Sequence, residues 1–306
     1  MSRSVAVLMG GWSNEREVSL VSGGAILNAL EETDFEARGI DVQRDVAQLA
    51  AQLSPAPDVV LNALHGRYGE DGCVQGILEC LGLTYTHSGV MASALAMDKP
   101  MAKRLFEQVG IPCTQHEIAT RDDFKSGAVM EIPFVIKPLN EGSSVGVTIV
   151  LTETDIPAPD SDAWTFGEFV MVEKYIPGRE LTVAVMGDRA LGVTEIRPRD
   201  GFYDYTAKYT EGKADHLIPA PVDDEIYALA MEYAVRAHDT LGCRGVSRAD
   251  FRYDDSGTAP GGLFLLEINT QPGMTPLSLV PEQAAYAGIS FSDLVCWMVE
   301  NASCDG

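Results

Sequence analysis

The chain has 306 residues, of which 46% are hydrophobic and 22% are charged, and its formal net charge is −23 at pH 7. This length allows two or three domains, and the composition is ordinary for a globular enzyme. The negative charge argues against nucleic acids and anionic membranes as partners, and no apolar run approaches the ~18 residues that a membrane span needs.

The N-terminal part of the chain alternates strand and helix patterns. Val5–Met9 predicts a short buried strand, and a helix is expected over about 17–30, with Asn14 and Glu17 as its capping box. Asp58–Ala63 predicts another buried strand, which the loop HGRYGEDG and a further helix follow. This alternation is typical of a parallel sheet whose ligands gather at the carboxyl ends of its strands.

The next region is expected to begin with a helix that Asp98 caps and that ends near Gln108, before Gly110. Four strand patterns follow it: Thr114–Ala119, Pro133–Lys137, Gly146–Val150 and Phe169–Tyr175. Between two of them lies a Gly/Ser loop at 140–146, whose backbone N–H groups can turn toward an anion. The loop does not match the Walker pattern, and such a loop is also the usual form of a hairpin turn.

Lys137 stands at the end of the apolar strand FVIKP. A lysine buried there is costly unless it has an anionic partner, which makes Lys137 a candidate phosphate ligand. The alternative is that its amine extends along the surface into solvent.

The last third of the chain predicts strands at Glu180–Met186 and Ala190–Glu195 and a helix over about 223–241. The segment Arg197–Val222 has no regular period and is longer than most loops, which favours a lid over a phosphoryl-transfer site. The alternative is a surface excursion packed by its own aromatic residues.

Four polar side chains form the strongest local pattern. Arg248 and Asp250 alternate in one predicted strand, and Glu267 and Asn269 alternate in the next, with the turn sequence DDSGTAPGG between them. A hairpin would bring all four side chains to one face. Hard oxygen ligands suit Mg²⁺, and a guanidinium suits a neighbouring anion. The alternative is a solvated polar face.

The six cysteines show no CxxC pair, and the five histidines show no zinc spacing. This pattern is typical of reduced cytosolic thiols. Beyond Met9 the N-terminus is too polar for a signal peptide, so a cytoplasmic protein is expected.

Eight segments, in order, resemble the D-alanine–D-alanine ligases of the ATP-grasp superfamily: GGWSNEREVSL, HGRYGEDG, MDKPMAK, VIKPLNEGSSVGV, VEKYIPGREL, FYDYTAKY, RADF and LEINTQPGMTPLSLVP. The resemblance extends from residue 5 to about residue 300. It implies an α/β fold of ATP-grasp architecture, with a parallel α/β substrate domain over 1–95. Two α+β parts, 96–177 and 178–306, would clamp ATP, and the second would hold the metal and substrate sites.

The activity implied by this resemblance is the joining of two D-alanines at the expense of ATP, for peptidoglycan precursor synthesis. ATP phosphorylates the carboxylate of the first D-alanine, and the amine of the second attacks the acyl phosphate. Two Mg²⁺ or Mn²⁺ ions would assist, a monovalent cation is a plausible activator, and a homodimer is common in the family. No protein nucleophile is needed, and the chain has no Ser-His-Asp or Cys-His pattern.

The resemblance also assigns site residues. The residues expected at ATP are Lys99, Lys137, Ser144 and Lys208 near the phosphates, Glu173 and Ile176 at the adenine, and Glu180 at the ribose. The expected metal ligands are Asp250, Glu267 and Asn269. Those expected at the substrates are Glu15, His65, Arg248, Ser278 and Leu279. Ser143 and Tyr209 would link to Glu15 and close the lid, and a tyrosine at this lid position goes with D-alanine, rather than D-lactate, as second substrate.

Plainer interpretations remain for several positions. Glu15 can serve only the positive end of a helix, His65 can be a scaffold residue, and Lys103 is expected on a solvated helix face. Glu70 and Asp71 are expected to order their loop. A different ATP-grasp ligase, or a nucleotide-binding module without activity, would share much of this pattern.

Overall fold

Three β-sheets follow one another along the chain in the computed structural model. The structure describes residues 2–139, 146–162, 164–199, 212–256 and 262–304. The first sheet is parallel, and the other two are antiparallel.

The first sheet has the strand order β2-β1-β3, with β1 (Ser4–Gly10), β2 (Glu36–Val42) and β3 (Val59–Asn62). Helix α1 (Arg16–Glu31) connects β1 to β2, and α2 (Val46–Gln52) connects β2 to β3. The predicted alternation and parallel pairing are confirmed. Strand β2 was missed because its residues are mostly exposed, so it lacks the apolar run that marks β1 and β3.

The second sheet has the order β4-β7-β5-β6. It contains the four strands predicted for this region, with small shifts of their ends: β4 (His116–Thr120), β5 (Phe134–Pro138), β6 (Thr148–Val150) and β7 (Phe169–Lys174). Buried aromatic side chains, among them Phe124, Phe134 and Trp164, pack beneath it.

The third sheet has the order β10-β9-β8-β11-β12. Its strands are β8 (Arg179–Met186), β9 (Arg189–Pro198), β10 (Ala214–Leu217), β11 (Val246–Tyr253) and β12 (Leu263–Asn269). The predicted strands and the β11–β12 hairpin are confirmed. The expectation of no regular structure between Arg197 and Val222 is wrong at both ends, because β9 runs to Pro198 and Ala214–Leu217 pairs with it as β10.

The remaining helices connect and cover the sheets: α3 (Cys73–Cys80), α4 (Val90–Met97), α5 (Lys99–Gln108), α6 (Arg121–Ser126), α7 (Asp224–Leu241), α8 (Leu279–Tyr286) and α9 (Phe291–Glu300). The prediction for α5 is confirmed in detail. The Asp98 carboxylate accepts from the backbone N–H of Met101 at 3.0 Å, and Gly110 adopts a positive φ beyond the helix end.

The predicted capping box of α1 is wrong. The helix begins at Arg16 with Glu15 as its N-cap residue, and the Glu15 side chain makes no capping hydrogen bond. The turn before the helix is instead held by Ser13, whose hydroxyl accepts from the Glu15 backbone N–H at 3.1 Å. The hydroxyl of Ser13, two residues before Glu15, thus provides a hydrogen bond at the helix start, where the sequence pattern predicted Asn14 and Glu17 to provide them.

One of the two largest core clusters of the described residues joins the two ends of the chain. Val5, Val59 and Leu61 of the first sheet are fully buried against residues of the C-terminal part, among them Val280 and Leu294. Burial of this size fixes the first sheet beside the third. As a result, the loop after β3 lies next to the segment after β12.

The division into 1–95, 96–177 and 178–306 stays a prediction. Its second boundary separates β7 from β8, which belong to different sheets, and its first falls inside α4. None of the six cysteines, all of which the structure describes, forms a disulfide. Among the described residues, no helix combines the length and the apolar character that crossing a bilayer requires.

Candidate active site

The β11–β12 hairpin presents the four predicted polar side chains together. Arg248 pairs with Asn269 and Asp250 pairs with Glu267 across the antiparallel ladder. A register shift follows only after Asp250, so it does not separate these pairs. Because directly opposite residues share a face, the predicted convergence of two carboxylates, one amide and one guanidinium is confirmed.

Each of the two carboxylates on this face has a cationic neighbour. Arg248 donates to both oxygens of Asp250, at 2.9 and 2.7 Å, and Thr182 on β8 donates to Asp250 at 2.6 Å. Lys99, at the start of α5, lies 3.3 Å from Glu267. These contacts replace the expected alternative of a merely solvated face, because the side chains of Arg248 and Asp250 are largely buried.

A cleft of about 520 Å³ separates the second sheet from the third. The predicted ATP residues that the structure describes all line it, together with two of the predicted metal ligands: Lys99, Lys137, Glu173, Ile176, Glu180, Asp250 and Glu267. Apolar walls come from Val135 and Ile149 on one side and from Leu266 on the other. A cleft of this volume with both apolar walls and lysines suits a nucleotide.

Glu173 is the centre of a buried ionic cluster at the floor of the cleft. Its Oε2 accepts from Lys137 Nζ at 2.6 Å, and its Oε1 accepts from Lys103 Nζ and from the Thr114 hydroxyl. Lys137 therefore has an anionic partner within the protein, and the solvent-directed alternative is wrong for it.

The expectation that Lys103 lies on a solvated face is wrong. Its side chain is fully buried, although it lies one turn from Lys99 on the same helix. Helix α5 contacts β12 of the third sheet. The face that carries the two lysines points into the protein, where Lys99 reaches Glu267 and Lys103 reaches Glu173. The i,i+4 spacing of the two lysines indicates only that they share a helix face, and no local signal in the sequence indicates that this face is buried.

The charges of this cluster shift the pKa values of its members. Burial alone would raise the pKa of Glu173, but the nearby charges and hydrogen bonds of Lys103 and Lys137 lower it to about 2. Burial, with the like charge of Lys137, lowers the pKa of Lys103. Glu173 is therefore an anion at neutral pH, and two lysines share it.

Arg252 is a cleft residue that the sequence did not identify. Its guanidinium donates to the carbonyl oxygens of Ile176 at 3.1 Å and Gly178 at 2.9 Å, and it lies 3.7 Å from the Glu180 carboxylate. Arg252 thereby fixes the link between β7 and β8, where Ile176 and Glu180 face the cleft. Its place on β11, two residues beyond Asp250, is the only sequence signal for it.

A second group of predicted residues meets at the carboxyl ends of β1 and β3. Ser13 donates to the His65 carbonyl at 2.6 Å and accepts from the Glu15 N–H, which ties the two loops together. The Glu15 carboxylate lies so close to Gly66 that a side chain there would approach it to 2.6 Å. Glu15 and His65 are both buried. Although Glu15 is the N-cap residue of α1, its side chain makes no capping hydrogen bond.

His65 is held from both ring nitrogens. Nδ1 lies 3.1 Å from Glu70, and Nε2 lies 3.0 Å from the Ser22 hydroxyl of α1. His65 is therefore held as a scaffold residue would be, and its loop also lies beside Glu15. Glu70 orders its loop through this contact, and Asp71 does so by accepting from the Cys73 N–H at 3.1 Å, as expected.

Ser278 and Leu279 lie at the N-terminus of α8. The Ser278 hydroxyl bonds the Thr275 N–H and hydroxyl, each at 2.9 Å. Ser278 also borders a cavity of about 1090 Å³ that α1 and β10 line on the other side. Backbone N–H groups at a helix start favour a carboxylate, which fits the predicted position of Leu279, whereas the Ser278 N–H donates to the Thr275 carbonyl at 2.9 Å.

Four predicted residues lie outside the described part of the chain: Ser143, Ser144, Lys208 and Tyr209. Most of the remaining predicted residues fall into two groups, the cleft with the hairpin and the Glu15–His65 loops, while Ser278 and Leu279 lie at the start of α8 beside the second cavity. The segment that follows β12 connects these groups.

Two family models match this chain, one described as "D-ala D-ala ligase N-terminus" over residues 43–88 and one as "D-ala D-ala ligase C-terminus" over 105–300. The chain is 57% identical over 306 residues to a D-alanine–D-alanine ligase of Rhodospirillum rubrum. It is 58% identical over 310 residues to one of Paramagnetospirillum magneticum. Both alignments cover 100% of this chain and 100% of the relative.

Solved structures are similar over nearly the same extent. A D-alanine–D-alanine ligase from Bacillus anthracis, complexed with ATP, has a TM-score of 0.82 at 30% identity and covers 98% of this chain and 97% of its own. The VanG D-Ala:D-Ser ligase from Enterococcus faecalis has a TM-score of 0.81 at 30% identity and covers 98% and 99%.

We predict that Lys103→Met destabilises the protein by about 3 kcal/mol, because removing one member of a buried ion pair leaves a charge without its full compensation. Chemical denaturation at pH 7 measures the free energy of unfolding. Lys125→Met is the matched control, since Lys125 pairs with Asp122 and Asp160 at the surface and its loss should leave stability unchanged. Equal stability of the two variants would contradict a structural role for Lys103.

The lowered pKa of Glu173 predicts a specific pH dependence. A carboxylate whose folded pKa is about 2, against an ordinary 4.5, stabilises the protein above pH 4.5 and loses that contribution as the pH falls toward 2. The difference in unfolding free energy between wild type and Glu173→Gln should therefore narrow as the pH is lowered from 5 to about 3. The control is Glu131→Gln, at an exposed position, whose difference from wild type should stay flat; a flat Glu173 difference would argue against the ionised, lysine-paired state.

Proposed function

This chain belongs to the D-alanine–D-alanine ligase family, and we propose that it joins two D-alanines to D-alanyl-D-alanine at the expense of ATP, for peptidoglycan precursor synthesis. The observation that carries the proposal is the full-length similarity to curated ligases together with the convergence of the hairpin and the cleft lysines. Activating a carboxylate with ATP requires charge neutralisation and positioning more than a protein nucleophile.

The cleft between the second and third sheets is the proposed ATP site. Glu173 and the backbone of Ile176 would hold the adenine, and Glu180 would accept from the ribose hydroxyls. The residues proposed at the phosphates are Lys99, Lys137, Ser144 and Lys208. The roles of the described residues are supported by their positions in the lining of the cleft. The roles of Ser144 and Lys208 rest on the family resemblance alone.

Asp250, Glu267 and Asn269 are the proposed ligands of two Mg²⁺ or Mn²⁺ ions. Two carboxylates and an amide oxygen on one face, with the carboxylates balanced by Arg248 and Lys99, are a donor set that hard divalent cations accept. When bound, such ions neutralise phosphate charge. A monovalent activator is part of the proposal only through the resemblance.

Glu15 is proposed to pair with the ammonium of the first D-alanine, beside His65. One carboxylate oxygen of this substrate attacks the γ-phosphorus, the bond to the bridging oxygen of ADP breaks, and a D-alanyl phosphate forms. Arg248, on the neighbouring hairpin, would stabilise the oxyanion that develops at the carbonyl. Its present pairing with Asp250 holds the guanidinium at that face.

The second D-alanine is proposed to bind with its carboxylate at Ser278 and Leu279, where α8 begins. Its neutral amine attacks the acyl carbon, phosphate leaves, and the nitrogen loses one proton as the peptide bond forms. Ser143 and Tyr209 are proposed to link with Glu15 and close the site. Closure would exclude water, which otherwise hydrolyses the acyl phosphate.

The proposal extends to a cytoplasmic homodimer of three parts, 1–95, 96–177 and 178–306. The resemblance supports the dimer, and cysteines without disulfides agree with a reducing compartment. Gel filtration with light scattering measures the oligomeric state directly.

A ligase with another second substrate is the main rival, because a D-Ala:D-Ser ligase has nearly the same fold as this chain. The relatives that are 57% and 58% identical favour D-alanine. A nucleotide-binding module without activity is the other rival. The complete hairpin argues against it, because nucleotide binding alone does not need Arg248.

The test of the function is the product formed from ATP, Mg²⁺ and D-alanine. We expect ADP release only when D-alanine is present, and a mass spectrum that shows the dipeptide. Parallel reactions with D-serine or D-lactate added in excess measure the choice of second substrate. Nucleotide binding without ADP release would favour the inactive module, and a mixed product as the main species would favour the rival ligase.

We predict that Glu267→Gln lowers turnover at least ~100-fold and raises the Mg²⁺ concentration for half-maximal rate, because it removes one anionic ligand from the hairpin. The measurement is ADP release across a Mg²⁺ titration, with the exposed Glu300→Gln as control. Wild-type Mg²⁺ dependence in both Glu267→Gln and Asn269→Ala would rule out the hairpin as the metal site.

A further inference from the structure

Two buried amides connect the first sheet to the segment after β12. Asn62 ends β3 and is fully buried, and Gln271, two residues beyond β12, is 1% exposed. Asn62 Nδ2 donates to Gln271 Oε1 at 2.6 Å. Burying amides of this kind costs free energy unless their polar atoms form hydrogen bonds. The hydrogen bond between the two side chains therefore offsets part of that cost.

The two side chains also hold the loop 64–71, which carries His65. Asn62 Nδ2 donates to the Gly69 carbonyl at 3.0 Å, and Asn62 Oδ1 accepts from the Leu64 N–H at 3.2 Å. Gln271 Nε2 donates to the Leu64 carbonyl. The backbone N–H and the backbone carbonyl of Leu64, the residue before His65, are therefore both hydrogen-bonded to this amide pair.

The backbone of Gln271 reaches the metal face of the hairpin. Its N–H donates to Asn269 Oδ1 at 2.9 Å. This bond identifies Oδ1 as the acceptor of the Asn269 amide and fixes its direction. A carbonyl oxygen has two lone pairs, so Oδ1 can accept this N–H and still face a cation.

We infer that Gln271 is a positioning residue, which sets the His65 loop at a fixed distance from the metal hairpin. Gln271 contacts the loop through its side chain and Asn269 through its backbone, so a displacement of the loop also displaces Asn269. The inference rests on the proposed function, because it assigns the first D-alanine to this loop and the phosphate-bearing end of ATP to the hairpin. Transfer between them is sensitive to an error of about 1 Å in their separation.

Simple support of the loop is the alternative, and Gln75 on α3 allows it to be tested. Gln75 is also buried, and its Nε2 donates to the Gly69 carbonyl at 2.8 Å from within the first domain. It supports the same loop but contacts no residue of the hairpin in any hydrogen bond that the structure describes. Gln75→Met is therefore the matched control for Gln271→Met.

We expect Gln271→Met to lower kcat/KM for D-alanine about tenfold, because it leaves the buried Leu64 carbonyl without its hydrogen-bond donor. The KM for ATP should stay within about twofold, since Gln271 does not line the cleft. Gln75→Met should leave kcat/KM for D-alanine within about twofold, even if both variants melt at lower temperature.

A second readout does not depend on turnover. In the absence of ATP, D-alanine should raise the melting temperature of wild type and of Gln75→Met, and raise that of Gln271→Met less at the same concentration. Should Gln271→Met fail to fold, Gln271→Ala leaves room for a water to bond Leu64 and should show the same pattern of constants.

Equal losses of kcat/KM in Gln75→Met and Gln271→Met would overturn the inference in favour of plain loop support. Unchanged D-alanine constants in Gln271→Met would overturn it outright. Wild-type enzyme that forms no D-alanyl-D-alanine would instead refute the proposed function, so the two failures are distinguishable.

Discussion

The register between β11 and β12 is the constraint on which the rest of the site depends. A slip of one residue would send Glu267 and Asn269 to the opposite face, away from Arg248 and Asp250. Strand β8 pairs with β11 along its whole length on the other side and places Thr182 opposite Asp250. The position of β11 is thus defined by two neighbours, and the register shift in β12 comes only beyond the polar pairs.

That face carries negative charge in a protein that is already strongly acidic, so cations have to be brought to it. Four of the seven lysines in the sequence, Lys99, Lys103, Lys137 and Lys174, lie in or under the cleft, and the first three contact a carboxylate there. The acidity of the remaining surface therefore does not extend into the site. The described residues that line the cleft include six cations and five carboxylates, so a polyanionic ligand does not meet there the strong negative charge of the whole molecule.

Local patterns in the sequence were enough to predict the parallel sheet, the helix after Asp98 and the polar face of the hairpin. Each of these follows from periodicity or from contacts a few residues apart. Lys103 could not be placed in this way, because its burial depends on Glu173, which is distant in sequence. The amide pair of Asn62 and Gln271 is likewise a contact between remote segments, and either residue alone has no distinctive signal.

For Lys137, the prediction of an anionic partner is correct, but the partner is a carboxylate of the protein rather than a phosphate. Its place at the end of a buried strand did imply an anionic partner, but the nearest anion is Glu173, in the protein itself. The two oxygens of Glu173 are used differently: Oε1 is bonded to Lys103 and Thr114, and Oε2 only to Lys137 among the hydrogen bonds of the described residues.

This division of contacts resolves a conflict in the proposed binding mode, which assigns Glu173 to the adenine amino group and Lys137 to a phosphate. If Lys137 turns to the phosphate, Oε2 is left to accept from the nucleobase. Lys103 and Thr114 meanwhile keep Oε1 in place and the carboxylate ionised. A buried anion with one lysine alone would lose its compensating charge in that exchange. In this binding mode the second, fully buried lysine would allow Glu173 to exchange one partner while remaining charged and fixed.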